Sequence, residues 1–189
     1  MTWSIIARDA SGAFGVAVAS KFFAVGALCP HARSGLGALA TQALLNPLFV
    51  APGFEAMAQG THPEDIVRTL TDADEGRDHR QLHMIDDANR SAAYTGAACI
   101  DWCGHVAGDG YSVAGNMLAG PQVVAYYAVD IIRDAAHEPE LAVDKYLAAA
   151  YVGVVRVVGG VAGIFIIKTL PRVKVATVRY GYLCRLRGG

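Results

Sequence analysis

The sequence predicts an α+β fold built in layers. Three observations carry that expectation: an apolar strand pair at the start, alanine-rich helix-compatible sequence in the second half, and a return to β-branched sequence near the end. Strands at both ends with helices between them call for sheets covered by helices. A chain of 189 residues suits a single core, and no repeat or long linker divides it, so residues 1–189 are expected to form one domain.

The segment Thr2 to Ala7 is short, apolar and β-branched, Asp9-Ala10-Ser11-Gly12 supplies turn chemistry, and Phe14 to Ala19 resumes an apolar run. That pattern predicts a β-hairpin. The stretch Phe22 to Ala43 is rich in glycine and alanine and weakly periodic, so a strand is expected only at Leu36 to Thr41, with loop before it. Thr61-His62-Pro63-Glu64 combines capping residues, an early proline and an acid ahead of Ile66, Val67 and Leu70, which predicts a helix running to about Ala73. The charged cluster Asp72 to Arg80 reads as a solvated connection. Gln81 to Asp86 and Ala92 to Cys99 flank the turn-forming residues Asp87-Ala88-Asn89-Arg90 and predict a second hairpin. Further strands are expected near His105 and Tyr111-Ser112-Val113. Helices are expected over Gln122 to Ala136 and Glu138 to Tyr151, and closing strands over Ile164 to Ile167 and Val173 to Tyr180.

Composition excludes several function classes. Sixteen basic against seventeen acidic residues give a net charge of −1, so no overall field gathers phosphates, and neither nucleic acid nor an anionic membrane is expected as a partner. The most apolar stretch, Val152 to Ile167, is interrupted by Arg156 and Gly159-Gly160 and falls short of the ~20 residues that cross a bilayer. Met1-Thr2-Trp3-Ser4 has no basic segment before an apolar run, which predicts a cytoplasmic protein without a secretory signal. Four cysteines are too few for a disulfide scaffold, and Cys99-x-x-x-Cys103-x-His105 misses the usual C-x₂-C spacing, so no metal site is expected. The chain is 53% hydrophobic and only 17% charged, against about 25% charged in ordinary globular domains, so part of its apolar surface is expected to meet another copy.

Several separated blocks then occur in a recognisable order. They are Thr2-Trp3-Ser4-Ile5-Ile6-Ala7-Arg8-Asp9, Gly15 to Phe22, Ala40-Thr41-Gln42-Ala43 with Asn46, Arg80-Gln81, Thr95-Gly96-x-x-Cys99, Trp102, Gly104-His105 and Gly115-Asn116-Met117-Leu118. In these blocks the chain resembles the DUF1028 family of Ntn-hydrolase-like proteins, most strongly over residues 2–118. Beyond Gly120 the match fades, because Val161-Ala162-Gly163-Ile164 stands where the family pattern is polar.

The resemblance implies a four-layer αββα sandwich in which the mature N-terminal residue, here Thr2 after removal of Met1, attacks an acyl carbon. It therefore implies an amidohydrolase acting on an amide or related C–N bond of a small molecule, without metal or organic cofactor. The α-amine of an N-terminal threonine, with a reference pKa of roughly 7.7–8.0, can accept the hydroxyl proton. Lys21 lies where such enzymes place a cation near the nucleophile, although a lysine at a strand end is ordinarily only solvated. Ser20 is placed to polarise the same site. Asn116 is a candidate oxyanion donor or the residue of an Asx turn. Thr41 and Gln42 are candidate substrate contacts equally explained by a hydrogen bond within the sheet, and His105 is a further candidate, though a histidine there is more often structural than an acid–base group. The competing reading is a non-catalytic oligomeric binding or assembly module on the same fold. Light scattering at micromolar concentration is expected to return a mass well above the 19.9 kDa of one chain; a monomer would remove the homo-oligomer expectation.

Overall fold

The computed structural model describes residues 1–125 and the strands at 163–169 and 176–181. The chain opens with β1 (Thr2–Arg8) and β2 (Phe14–Ser20), joined by a turn in which the Asp9 carboxylate accepts the backbone N–H groups of Ser11 and Ala13. Next come β3 (Pro30–Arg33) and β4 (Gly37–Ala43), then helices α1 (Val50–Ala58) and α2 (Pro63–Asp72). They are followed by β5 (Arg80–Asp86), β6 (Ser91–Thr95), β7 (Trp102–Gly108) and β8 (Tyr111–Leu118), and later by β9 (Gly163–Thr169) and β10 (Ala176–Gly181).

The strands form two sheets in which every pairing is antiparallel. One has six strands in the order β10-β9-β2-β1-β8-β7, and the other has four in the order β3-β4-β5-β6. The opening hairpin therefore supplies the two middle strands of the larger sheet. The α+β class expected from the sequence is the class observed.

Three elements differ from expectation. Pro30–Arg33 is a strand, not loop; as an edge strand it tolerates a proline, which has no N–H to give to a ladder. Helix α1 was not anticipated because Val50-Ala51-Pro52-Gly53 is poor helix sequence. Pro52 falls in the first turn, where its missing N–H costs nothing, and Gly53 packs against Leu39, which a Cβ at that position would approach to 3.1 Å. The strand expected to reach Cys99 stops at Thr95, because Gly96 turns the chain with only 2.3 Å available to a Cβ against the carbonyl oxygens of Arg77 and Asp78. The helix expected before Ala73 is α2, whose end is capped by the His62 ring accepting the Glu64 N–H. Residues 121–125 are helical, and the rest of the two helices expected between Gln122 and Tyr151 lies outside the described residues. Among the described residues no helix is long and apolar enough to cross a membrane.

Alternation along the strands divides the core into three clusters. Leu39, Leu82 and Met84 face outward from the smaller sheet and bury Phe54, Met57, Ile66 and Val67 of the two helices. Ile6, Val16 and Val18 of the larger sheet meet Ala38, Ala40 and Ile85 of the smaller one. Trp3, Ile5, Ala17 and Val113 lie on the far face of the larger sheet with Val124 of the helical segment 121–125.

The layer between the sheets is not wholly apolar. Ser4 Oγ donates to Gln42 Oε1 at 2.7 Å and lies 2.8 Å from His83 Nε2, while His83 Nδ1 lies 2.9 Å from Ser112 Oγ. The single Ser4 proton is committed to Gln42, so Nε2 must carry the imidazole hydrogen and Nδ1 must accept from Ser112. Gln42 Nε2 and Asn116 Nδ2 both donate to Gln81 Oε1, at 3.0 and 2.8 Å. These side chains are buried yet satisfied, as such groups must be if they are not to cost stability.

Burial, reinforced by the neighbouring His105, pushes the His83 pKa down to about 3. In the unfolded chain a histidine titrates near 6.5, so between the two values the unfolded state binds a proton that the folded state refuses. The stability held by neutral His83 is complete above about pH 6.5 and is lost as pH falls toward 3, by at most about 1.4 kcal/mol per pH unit. Urea unfolding between about pH 7 and about pH 4.5 is expected to show this loss, with a shallower pH slope in His83→Gln; equal slopes would contradict it.

Candidate active site

At one end of the larger sheet, three polar residues stand side by side on the face turned toward the smaller sheet. Thr2 pairs with Ser20 across β2 and with Asn116 across β8, so β-register alone aligns them. Thr2 Oγ1 lies 3.0 Å from Ser20 Oγ. Ser20 Oγ donates to the Met1 carbonyl at 3.1 Å and accepts the Phe22 N–H at 3.0 Å, so the proton between the two hydroxyls comes from Thr2. All three side chains are buried.

These residues form one wall of a cavity of about 450 Å³, within the usual range for small-molecule sites. Lys21 continues the same wall. The end of β4 contributes Ala43 and Leu44, the connection before β5 contributes His79, and the loop after Gly96 contributes Cys99 and Ile100. That loop is fixed by Ala98 N–H donating to the Asp78 carbonyl at 2.8 Å and by Met117 N–H donating to the Ile100 carbonyl at 3.2 Å.

Backbone strain collects here. Five described non-glycine residues have left-handed φ values, and two of them, Ala43 (65°) and Met117 (55°), line the cavity; a third, Asp101 (55°), follows Ile100. Such conformations cost about 1–2 kcal/mol for residues with a Cβ and concentrate at functional sites. This signal is independent of the identities of the polar residues.

The Met1 amine reaches Met117 Sδ at 2.9 Å, and its pKa is held below the ordinary value mainly by burial and then by the Lys21 cation, against an opposing pull from Asp101. Lys21 makes no ion pair among the described residues. Asn116 Nδ2 spends one hydrogen on Gln81 Oε1, and its second has no partner among the described residues.

Thr2, Ser20, Lys21 and Asn116 are thus brought together. Gln42 stands one step behind, reaching Asn116 through Gln81. Thr41 is on the opposite face of β4, where its hydroxyl accepts the Asn46 N–H at 2.9 Å and steadies the turn after the strand. His105 lies in a separate groove of about 800 Å³, its Nδ1 2.9 Å from Thr95 Oγ1 and its pKa lowered by burial. Cys103 Sγ donates to the Cys99 carbonyl at 3.7 Å, and among the described residues no three His, Cys, Asp or Glu side chains gather in a metal-binding group. The sequence reading assigned no role to Gln81, His83, Ser4 or His79. For Gln81 and His83 a signal existed in their alternation with Leu82 and Met84.

A family model described as "Family of unknown function (DUF1028)" matches residues 2–153. The chain belongs to the DUF1028 family. The match runs past Gly120, further than the blocks that carry the resemblance in the sequence, and ends before the departure at Val161. Among solved structures that resemble it is SPO2555 from Silicibacter pomeroyi, also of DUF1028, which is 26% identical with a TM-score of 0.85, over 97% of this chain and 82% of that one. No curated protein matches the sequence.

For this DUF1028 chain, Ala43→Gly offers a check on the strain at the cavity. Glycine inside a strand ordinarily lowers stability by about 0.5–1 kcal/mol, but relief of the left-handed φ should reverse the sign and leave the variant as stable as the parent or more so. A denaturation midpoint below the parent's would show that the backbone at Ala43 is not strained.

Proposed function

We propose that the protein is an N-terminal-nucleophile amidohydrolase of the four-layer αββα type, with helical residues 121–125 belonging to the outer layer over the larger sheet, and that removal of Met1 exposes Thr2 as the nucleophile. The observation that carries this reading is the alignment of Thr2 with Ser20 and Asn116 at a cavity that also holds Lys21, which has no ion-pair partner among the described residues.

Loss of Met1 has three consequences that favour catalysis. It converts the Thr2 amide nitrogen into an amine, it releases the Ser20 proton now given to the Met1 carbonyl, and it empties the part of the cavity that Met1 lines. Thr2 Oγ then attacks the carbonyl carbon of an amide while its proton passes to the Thr2 amine, directly or through water. The free hydrogen of Asn116 Nδ2 and the Lys21 ammonium stabilise the resulting oxyanion. The C–N bond breaks as the amine returns its proton to the leaving nitrogen, and water hydrolyses the Thr2 ester to a carboxylic acid. No cofactor is required by this sequence of steps.

A second reading, an oligomeric binding module without catalysis, draws support from the exposed side chains Phe23 and Leu48, which are 85% and 80% accessible. The two readings part on one experiment. Protein trimmed at Met1 is expected to form an ester with an acyl-reactive probe at Thr2, seen by mass spectrometry. Thr2→Ala should abolish the adduct, Thr2→Ser should retain it, and Lys21→Ala should slow it by about 10²-fold, equivalent to ~3 kcal/mol of oxyanion stabilisation. Labelling that persists unchanged in Thr2→Ala would remove Thr2 from the chemistry and favour the binding module.

A further inference from the structure

The cavity at Thr2 is chemically one-sided. Among the described residues that line it, Lys21 and the terminal amine carry positive charge and none carries a carboxylate. Asp101 acts on the amine from outside that lining. The arginines at 68, 80 and 90 each have a carboxylate partner, whereas Lys21 has none among the described residues. An unpaired cation on the wall of a small cavity is complementary to an anionic group on a ligand.

The mouth has the opposite character. Phe22, Leu44, Ile100 and Met117 all line the cavity and expose 52%, 61%, 60% and 39% of their surface. They come from four different segments, so the apolar rim arises from the way the chain is brought together rather than from one hydrophobic run. Each methylene that leaves water for such a rim contributes about 0.8 kcal/mol.

We propose that the site takes amides with an apolar acyl chain and one carboxylate close to the amide nitrogen, the chemical class of N-acyl amino acids. The carboxylate pairs with Lys21, whose three N–H donors leave one for the oxyanion, and the acyl chain extends over Phe22, Leu44, Ile100 and Met117. This assignment rests on the amidohydrolase reading for its chemistry, but its binding preference is measurable without turnover.

Three probes separate the contributions: N-octanoylglycine, N-acetylglycine, which lacks the chain, and N-octanoylethanolamine, which lacks the charge. Calorimetry on Met1-trimmed Thr2→Ala is expected to rank N-octanoylglycine first, over N-acetylglycine by about tenfold or more and over the neutral amide by several-fold. Lys21→Met should remove the preference for the carboxylate while keeping that for the chain, and Ile100→Ser should weaken the chain preference alone. No binding, or equal binding of the three probes, overturns the substrate class. Glycine release by trimmed protein with Thr2 intact is scored separately. Ranked binding without release keeps the ligand class and removes the hydrolase reading, whereas equally fast release from both glycine conjugates keeps the hydrolase and removes the ligand class.

Discussion

The Gln81 carboxamide holds the two sheets in one relative position, and the candidate site depends on it. Its oxygen accepts from Gln42 within the smaller sheet and from Asn116 in the larger, while its nitrogen donates to the Gly115 carbonyl at 2.8 Å and to Thr95 Oγ1 at 3.0 Å. A purely apolar contact between two sheets tolerates small slides, because dispersion and burial are non-directional. Hydrogen bonds in a dry interior do not tolerate them, since a donor pulled away leaves an unsatisfied buried group at a cost of about 1–3 kcal/mol. The polar part of the layer therefore sets the register of the sheets, and its apolar part, around Ile6, Val16 and Ile85, supplies the adhesion.

That register has a chemical consequence. Asn116 cannot rotate freely, because one amide hydrogen is tied to Gln81, and the other is left beside Thr2 by the β1–β8 pairing. Under the proposed hydrolase reading Asn116 is an oxyanion donor, which is useful only when it need not reorganise as charge develops, so Gln81 would act as a positioning residue through Asn116. His83 belongs to the same construction, fixing Ser4 two residues along the strand from Thr2. The left-handed residues Ala43 and Met117 at the rim are compatible with this arrangement, since a rigid support can hold strained backbone that an isolated loop would relax.

The fold class and the opening hairpin were legible because β1 and β2 present uninterrupted apolar, β-branched sequence with turn residues between them. The blocks around Thr2, Lys21 and Asn116 were legible through the family resemblance, and the wall they share follows from it. The seam behind them was hidden for a physical reason. Polar residues alternating with apolar ones in a strand, as in Gln81-Leu82-His83-Met84, ordinarily mark one wet face. Here the polar face is buried as well as the apolar one, because a second sheet presents Ser4, Ser112 and Asn116 opposite it, and pairing across 29 to 79 residues of sequence leaves no local trace. Thr41 and Gln42 show the same limit: adjacent in one recognisable block, they face opposite sides of β4, so only Gln42 joins the network at the site.

Under the proposed hydrolase reading, the position of the terminal amine decides how the site would behave chemically. At Met1 the amine is only partly withdrawn from water, yet burial and Lys21 already lower its pKa against the pull of Asp101. An amine carried on Thr2 would stand beside the same Lys21 cation, which disfavours its charged form. A lower pKa leaves a larger share of the amine uncharged near neutrality, which is the form able to take the proton from Thr2 Oγ. The same move draws the amine toward Ser20 and Asn116, whose hydrogens favour an oxyanion over a cation. The neighbouring cation and the aligned donors would thus act in one direction on a terminus at Thr2, whereas the amide present when Met1 is retained has no basic lone pair on which they can act.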